Sequence, residues 1–283
     1  MIAKSKLPIR KACSALSVSK PSYYRWKNKK NISDPDGKLR PIMHEIASEF
    51  PKYGYRRMTK DLQRRELHIN HKKVLRIMRE EKLLVRRKRF KPITTQSNHG
   101  LPKYPNLIKS LTLTGLNQAW VSDITFIHLA REFVYLAVLM DLLSRRCVGW
   151  ALSRNPDSEL TLQALNMAIA LRGEAKVAGC IHHSDQGVQY AARAYVERLK
   201  QVGMKPSMGE KGNSYENAYA ESFIKTIKYE EVHMNEYETM EDAYCNIKQF
   251  IEKVYNKKRL HSRIGYKPPI EFEQEVLNMC SLT

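Results

Sequence analysis

An α/β core behind an all-α basic region is the fold class this sequence predicts, and three observations predict it. Residues 118 to 152 hold three strand-like apolar runs with short connections, as an antiparallel meander requires. From there to residue 228, helical and strand-like segments alternate. Residues 1 to 112 instead show helical periodicity and carry 29 Lys and Arg against 8 Asp and Glu, whereas residues 113 to 283 carry 20 against 21.

Residues 1 to 36 form a first basic segment. Two short helices are expected between residues 8 and 27, around Ser17-Val18-Ser19, with Ala12, Ala15 and Leu16 on the apolar side of the first. Pro21 sits at the start of the second, where its missing N–H costs nothing, and Tyr23, Tyr24 and Trp26 follow among Lys20, Arg25 and Lys27. Helix-turn-helix-like and basic-arm readings fit this segment equally.

Residues 37 to 91 read as a helix-turn-helix unit. Leu39, Ile42, Ile46 and Phe50 recur at spacings of three and four, and Pro51 and Gly54 stop that helix. A middle helix follows at Met58 to Arg65, and Asn70 caps a third in which Val74, Leu75 and Met78 face inward. Its Lys72, Lys73, Arg76 and Arg79 stay outside, either entering a DNA major groove or simply solvated. The dense run containing Arg86, Arg87 and Arg89 fits backbone tracking without sequence reading. Pro92, Gly100, Pro102 and Pro105 mark residues 92 to 112 as a linker long enough for the two halves to bind different parts of one DNA.

The core is placed at residues 113 to 276, with 277 to 283 as a tail. Strands are expected at Trp120 to His128, Phe133 to Met140 and Arg145 to Leu152, then a helix at Ser158 to Leu171 and a strand at Cys180 to His183. A helix near Ala191 to Gln201, a small strand at Met204 to Met208 and a helix around Glu221 complete the series. This is the order of a ribonuclease-H-like mixed sheet, three antiparallel strands plus two parallel, flanked by helices.

Charge narrows the partners. The net charge is +20, all of it in the first two-fifths of the chain. Cations brought to a duplex release condensed counterions, so nucleic acid is the expected partner, while charge alone leaves open a merely soluble basic surface, a ribosomal-type contact or an anionic-membrane contact. The longest apolar run, Phe133 to Met140, is less than half a bilayer-spanning helix, and no secretory h-region opens the chain, so a cytoplasmic protein is expected. Cys13, Cys147, Cys180, Cys245 and Cys280 are scattered without a CxxC pair and are expected as reduced, mostly buried thiols.

Three acids carry the chemistry. Asp123 falls on a predicted strand, Asp185 at the end of another and Glu221 on a predicted helix, with 35 residues separating Asp185 from Glu221. Mg²⁺ takes oxygen ligands, keeps several waters and completes its shell with substrate phosphates. Two such ions roughly 3.5–4 Å apart clamp an in-line displacement. Three carboxylates packed without metal would raise one another's pKa, so the cage implies the cations. On the glutamate's helix, with Asn213 and Glu216 as its expected cap, Asn217, Glu221, Lys225 and Lys228 share a polar arc beside the apolar arc Ala220, Phe223, Ile224 and Ile227. Lys225 and Lys228 either hold flanking DNA phosphates or pair with Glu221.

The wording around these acids resembles the insertion-sequence-3 family of transposases, whose core is similar to retroviral integrases. The residues that carry it include Trp120 with Asp123-Ile124-Thr125, Asp141, Ser144-Arg145, Gly149-Trp150 and His183-Ser184-Asp185 with Gly187, Gln189 and Tyr190. They continue through Ser207-Met208, Lys211-Gly212-Asn213, Asn217-Ala218, Glu221-Ser222-Phe223 and Lys228 to Tyr255-Asn256, Arg259, His261, Gly265-Tyr266 and Pro269. Tyr53 to Arg57 extend the likeness into the helix-turn-helix region, and Glu216 departs from the aspartate usual before the Asn-Ala pair.

The resemblance implies a DDE transposase: Asp123, Asp185 and Glu221 as catalytic ligands of two Mg²⁺, with Mn²⁺ able to substitute, cutting double-stranded DNA at element ends and joining the freed 3′-hydroxyl to target DNA. It implies a homo-oligomer on DNA and a downstream-frame product that works alone, fused to an upstream-frame protein or partnered by one. His183 either orients Asp185 or a phosphate or packs at a strand end; Asn217 either touches DNA or braces the site; Arg259 and His261 contact DNA or the core's own surface. Asp141 is expected in a turn, and Trp120, Trp150 and Phe223 in the core. A transposase-derived DNA-binding regulator and a structure-specific nuclease that never joins strands are the competing readings.

Overall fold

The structure, a computed structural model, describes residues 7–29, 36–85, 101–210 and 217–280. Helices α1 (Ile9–Ala15) and α2 (Lys20–Lys29) flank the Ser17–Ser19 turn, as expected. The helix-turn-helix unit is α3 (Leu39–Glu49), α4 (Tyr55–Arg64) and α5 (His71–Glu80), and Asn70 caps α5 by accepting the Lys72 amide at 2.8 Å. Met43, Ile46, Met58, Leu62, Val74, Ile77 and Met78 are all sealed inside it, whereas Leu75, expected inward, is only half-buried because Ile77 takes that side of α5.

The core begins with the meander β1 (Ala119–His128), β2 (Phe133–Asp141) and β3 (Cys147–Ser153). Helices α6 (Ser158–Arg172) and α7 (Glu174–Val177) lead to β4 (Ile181–Ser184), then α8 (Val188–Ala191) and α9 (Arg193–Gln201) lead to β5 (Lys205–Met208). The sheet order is β3-β2-β1-β4-β5, with β4 parallel to β1 and β5 parallel to β4. This is the mixed sheet the sequence predicts. Strand alternation divides its side chains between two layers. Trp120, Ala137, Leu139 and Val148 pack under α6, α8 and α9, while Val121, Leu136, Val138 and Trp150 pack under α10 (Ala218–Glu230) and the segments after it.

Beyond α10 the sequence predicted no elements, and the structure has several. Helix α11 (Met240–Gln249) starts at a Thr239–Asp242 capping box and opens into a π-helical stretch, Phe250–Tyr255. Helix α12 (Pro269–Cys280) runs through residue 277, where a tail was expected. It is anchored by Glu273, 2% exposed, which accepts Ser144 Oγ at 2.8 Å and the Arg146 and Arg172 guanidiniums.

The linker does not leave the halves independent. Its described part packs on the sheet through Ile108 and Leu111, and the Leu107 amide donates to Ser207 Oγ at 2.9 Å. The helix-turn-helix core also includes Leu260, with Val254 and Tyr266 packed against it. Apolar surface on both partners explains the docking; helical periodicity alone could not reveal it.

Cys13, Cys147 and Cys180 are buried free thiols, and Cys245 is exposed. Among the described residues, no helix is long and apolar enough to cross a membrane.

Candidate active site

Asp123 lies in mid-β1, on the side of the sheet that Val121 and Ile127 share with α10. Its Oδ1 accepts the Ile124 amide at 2.8 Å. Strand β4 pairs with β1 as far as Val121–His183, so Asp185, two residues further on, leaves the sheet alongside Asp123. Asp185 Oδ1 accepts the Gly187 amide at 3.0 Å. A Cβ at Gly187 would stand 3.0 Å from that same oxygen, which is why the close approach suits glycine. Glu221 comes from the first turn of α10, whose Ala220, Phe223 and Ile227 are buried on the sheet.

Electrostatics tie the three together. Burial pushes the Asp123 carboxyl up to about 8, and the charges of Asp185 and then Glu221 push the same way, against the Ile124 amide and the Lys228 ammonium. Desolvation and Asp185 also raise Glu221. Burial lowers Lys228, while Asp123 opposes that shift. Desolvation is the larger cause in both Asp123 and Glu221, and like charge adds to it, as in closely grouped acids. Among the described residues no three His, Cys, Asp or Glu side chains converge as a ready metal-binding group. The donor set suits a hard divalent cation in chemistry and charge, with Glu221 still exposed on its helix face.

Several residues expected at the DNA are elsewhere. His183 is fully buried, with Nδ1 2.9 Å from Ser207 Oγ, because its position on β4 points it into the packing against β5. Asn217, 7% exposed, donates to the Ser122 carbonyl at 3.2 Å and so pins the start of α10 to β1 beside Asp123. Asn213 and Glu216, the expected cap of α10, lie outside the described residues, and Asn217 stands at its N-cap. Arg259, 3% exposed, forks onto Glu230 at 2.6 and 2.7 Å. His261 lies edge-on to Tyr255, and burial beside the Arg259, Arg57 and Arg145 cations holds it well below its ordinary pKa. Each of these four side chains has its partner within the protein.

The lysines of α10 divide. Lys225 is exposed, whereas Lys228 lies over the Phe126 ring at 4.3 Å and faces Asp123 electrically. On α5, Lys72 and Arg79 are exposed, but Lys73 and Arg76 reach back to Asp36 at 2.6 and 2.5 Å. Sequence spacing could not show that pairing, since Asp36 lies a whole helical unit upstream. Arg86, Arg87 and Arg89 fall outside the described residues. Asp141 accepts the Asn117, Leu143 and Ser144 amides and shapes a turn, as expected, and Trp120, Trp150 and Phe223 are core. Tyr53, Arg57 and Glu230 had been given no role; only their distant partners give them one.

Comparison with known proteins follows the same divisions. Residues 114–214 and 202–269 match families described as integrase core domain, and residues 35–91 match an HTH-like domain. The IS600 insertion element's uncharacterized 31 kDa protein from Shigella sonnei is 35% identical, over 95% of this chain and all of its own. The transposase for insertion sequence element IS904 of Lactococcus lactis subsp. lactis (strain IL1403) is 36% identical, over 84% of this chain and 92% of its own. Transposase InsF for insertion sequence IS3A, from Escherichia coli (strain K12), is 30% identical, over 97% of this chain and 96% of its own.

Proposed function

The chain belongs to the IS3-type family of insertion-sequence transposases, with an HTH-like domain and an integrase core, and from that premise we propose that it cuts DNA at the ends of an insertion sequence and joins the freed 3′ ends to target DNA. The observation that carries this reading is the constellation Asp123–Asp185–Glu221, in which Asp123 is held up to about 8 by burial and by its two acidic neighbours. The transposase names of the relatives support this reading, on which residues 37 to 91 hold DNA and residues 113 to 276 do the chemistry.

On this reading Asp123, Asp185 and Glu221 hold two Mg²⁺, for which Mn²⁺ substitutes. When bound, such ions supply an activated attacking oxygen and charge stabilisation for the leaving one. Glu221 lies on an exposed helix face, from which its carboxylate would serve as the third ligand beside the two aspartates. The protein's own contribution is positioning. The Ile124 and Gly187 amides hold one oxygen of each aspartate, and the Asn217 bond to Ser122 fixes the start of the glutamate's helix. Lys225, exposed one turn beyond Glu221, meets a backbone phosphate.

Both strand-transfer substrates are double-stranded DNA, so the working particle is a homo-oligomer that brings two ends together. It acts in the bacterial cytoplasm on the nucleoid, alone or with an upstream-frame protein. The test is a gel assay on end-bearing duplexes with Mg²⁺ or Mn²⁺, scored separately for nicking and for joining. Wild type gives both products. Asp123→Asn, Asp185→Asn and Glu221→Gln each lose about 10²–10³-fold in rate, the scale for removing one preorganised stabilising group, while keeping the wild-type circular dichroism. Active mutants would refute the assignment; nicking without joining would make the protein a nuclease, and binding without either would make it a regulator.

A further inference from the structure

The peptide unit Arg259–Leu260 sits at the junction of the two halves and bonds to both. Arg259 faces the catalytic core, where its fork closes on both oxygens of Glu230, the last residue of α10. Leu260 faces the other way. Its amide donates to Tyr53 Oη at 2.8 Å, its carbonyl accepts Arg57 Nε at 3.0 Å, and its side chain, 1% exposed, sits in the helix-turn-helix core. Tyr53 and Arg57 belong to that unit, and Tyr53 is itself 2% exposed and stacked on Phe50 at 4.4 Å. Ion pairs Lys258–Glu49 and Arg64–Glu271 frame the junction.

A second line runs beside the first. His261 stands 3.3 Å from Arg259 Nη1 and edge-on to Tyr255 at 4.8 Å, and Tyr255 meets Phe223 of α10 edge-on at 4.5 Å. The helix carrying Glu221 is thus held at its C-terminal end by a buried bidentate ion pair and in its middle by an aromatic contact. Both supports hang on the segment that the DNA-reading unit grips. Bidentate arginine–carboxylate pairs fix orientation as well as distance, and a buried pair cannot lose one member without leaving an uncompensated charge.

We propose that Arg259 is a positioning residue for Glu221 and that the docked helix-turn-helix unit, through Tyr53 and Arg57, sets it. DNA capture by the basic unit and placement of the catalytic glutamate are then one mechanical event. This inference rests on the reading of Glu221 as a catalytic residue, and it gives Tyr53, Arg57, Glu230 and Arg259 a task that no DNA contact would.

The test uses the full chain carrying Tyr53→Phe, which removes only a hydroxyl, and Arg259→Lys, which keeps charge but loses the fork. Amide hydrogen exchange is followed in α10 and, as internal reference, in β2; end-DNA affinity and Mg²⁺-dependent cleavage are measured on the same samples. Exchange in α10 rises by about 2- to 10-fold, the worth of one hydrogen bond, β2 does not change, DNA affinity holds and cleavage falls by a similar factor. Unchanged α10 exchange in Tyr53→Phe overturns the proposal, and so does a cleavage loss explained wholly by weaker DNA binding. Should Arg259→Lys fail to fold, Tyr53→Phe alone decides. A wild type that never cleaves sinks the catalytic reading, and the exchange data still decide the coupling.

Discussion

Asp185 leaves β4 alongside Asp123 of β1, two residues past their strands' last paired position, and its charge is the largest influence after burial in keeping the Asp123 carboxyl protonated up to about pH 8. A parallel pair of strands has thereby brought together two like charges that water would keep apart. The fold itself bears that cost.

The cost has a pH signature. An acid whose folded pKa lies above its ordinary 3.8 favours the folded state while protonated, so the unfolded chain releases its proton first and stability falls as pH rises from about 4 towards about 8. Without divalent cations, Asp123→Asn therefore melts several degrees above wild type at pH 8, with the gap closing below pH 4. Mg²⁺ raises the melting temperature of wild type at pH 8 and leaves that of Asp123→Asn nearly unmoved. Thermal melts with and without chelator check both statements.

Lys225 and Lys228 lie less than a helical turn apart and should fail differently. Lys225→Ala removes an exposed cation, so DNA binding weakens and the log K against log[salt] slope shrinks by about 1. Lys228→Met leaves that slope unchanged, because its ammonium lies over Phe126 and acts on Asp123. Its loss pushes Asp123 further up and moves the pH dependence of Mg²⁺ binding towards higher pH. Fluorescence anisotropy at several salt concentrations and metal titrations across pH separate the two.

Helix α5 divides in the same way. Lys72→Ala and Arg79→Ala each lower DNA affinity with a slope loss of about 1, whereas Lys73→Ala and Arg76→Ala chiefly lower the melting temperature. The latter two serve Asp36, 2% exposed, whose carboxyl their hydrogen bonds hold below its ordinary range. Equal loss of affinity from all four would show that Asp36 gives up its partners to DNA.

Gly149 is fixed by contact. A Cβ there would stand 2.2 Å from the Ala164 carbonyl and 2.8 Å from Ala168 Cβ, where α6 crosses β3. Gly149→Ala should cost about 3 kcal/mol or more, at the upper end of overpacking. Urea unfolding of the purified variant reads this directly, and a loss under about 1 kcal/mol would mean that α6 shifts freely on the sheet.

Much of the architecture was legible because local signals agreed with the global answer. Strand-like runs at 120, 133 and 145, the Asn70 cap and the apolar arc of α10 each match an observed element. The segment after residue 230 was not legible. Its helices are mixed in polarity, and the π-helical stretch Phe250–Tyr255 has a spacing that a search at 100° per residue passes over.

The sequence by itself determined the basic character of the first 112 residues and the order of the main strands and helices as far as α10, and it singled out the three acids, because charge, periodicity and local motifs are properties of neighbours along the chain. Only the tertiary structure decided what His183, Asn217, Arg259 and His261 do. Each has its partner on another element or in the interior: Ser207 for His183, Ser122 for Asn217, Glu230 for Arg259 and Tyr255 for His261. A polar side chain looks the same in sequence whether it meets water, DNA or a buried partner. Burial chooses among these, because a desolvated polar group must find its complement inside the protein.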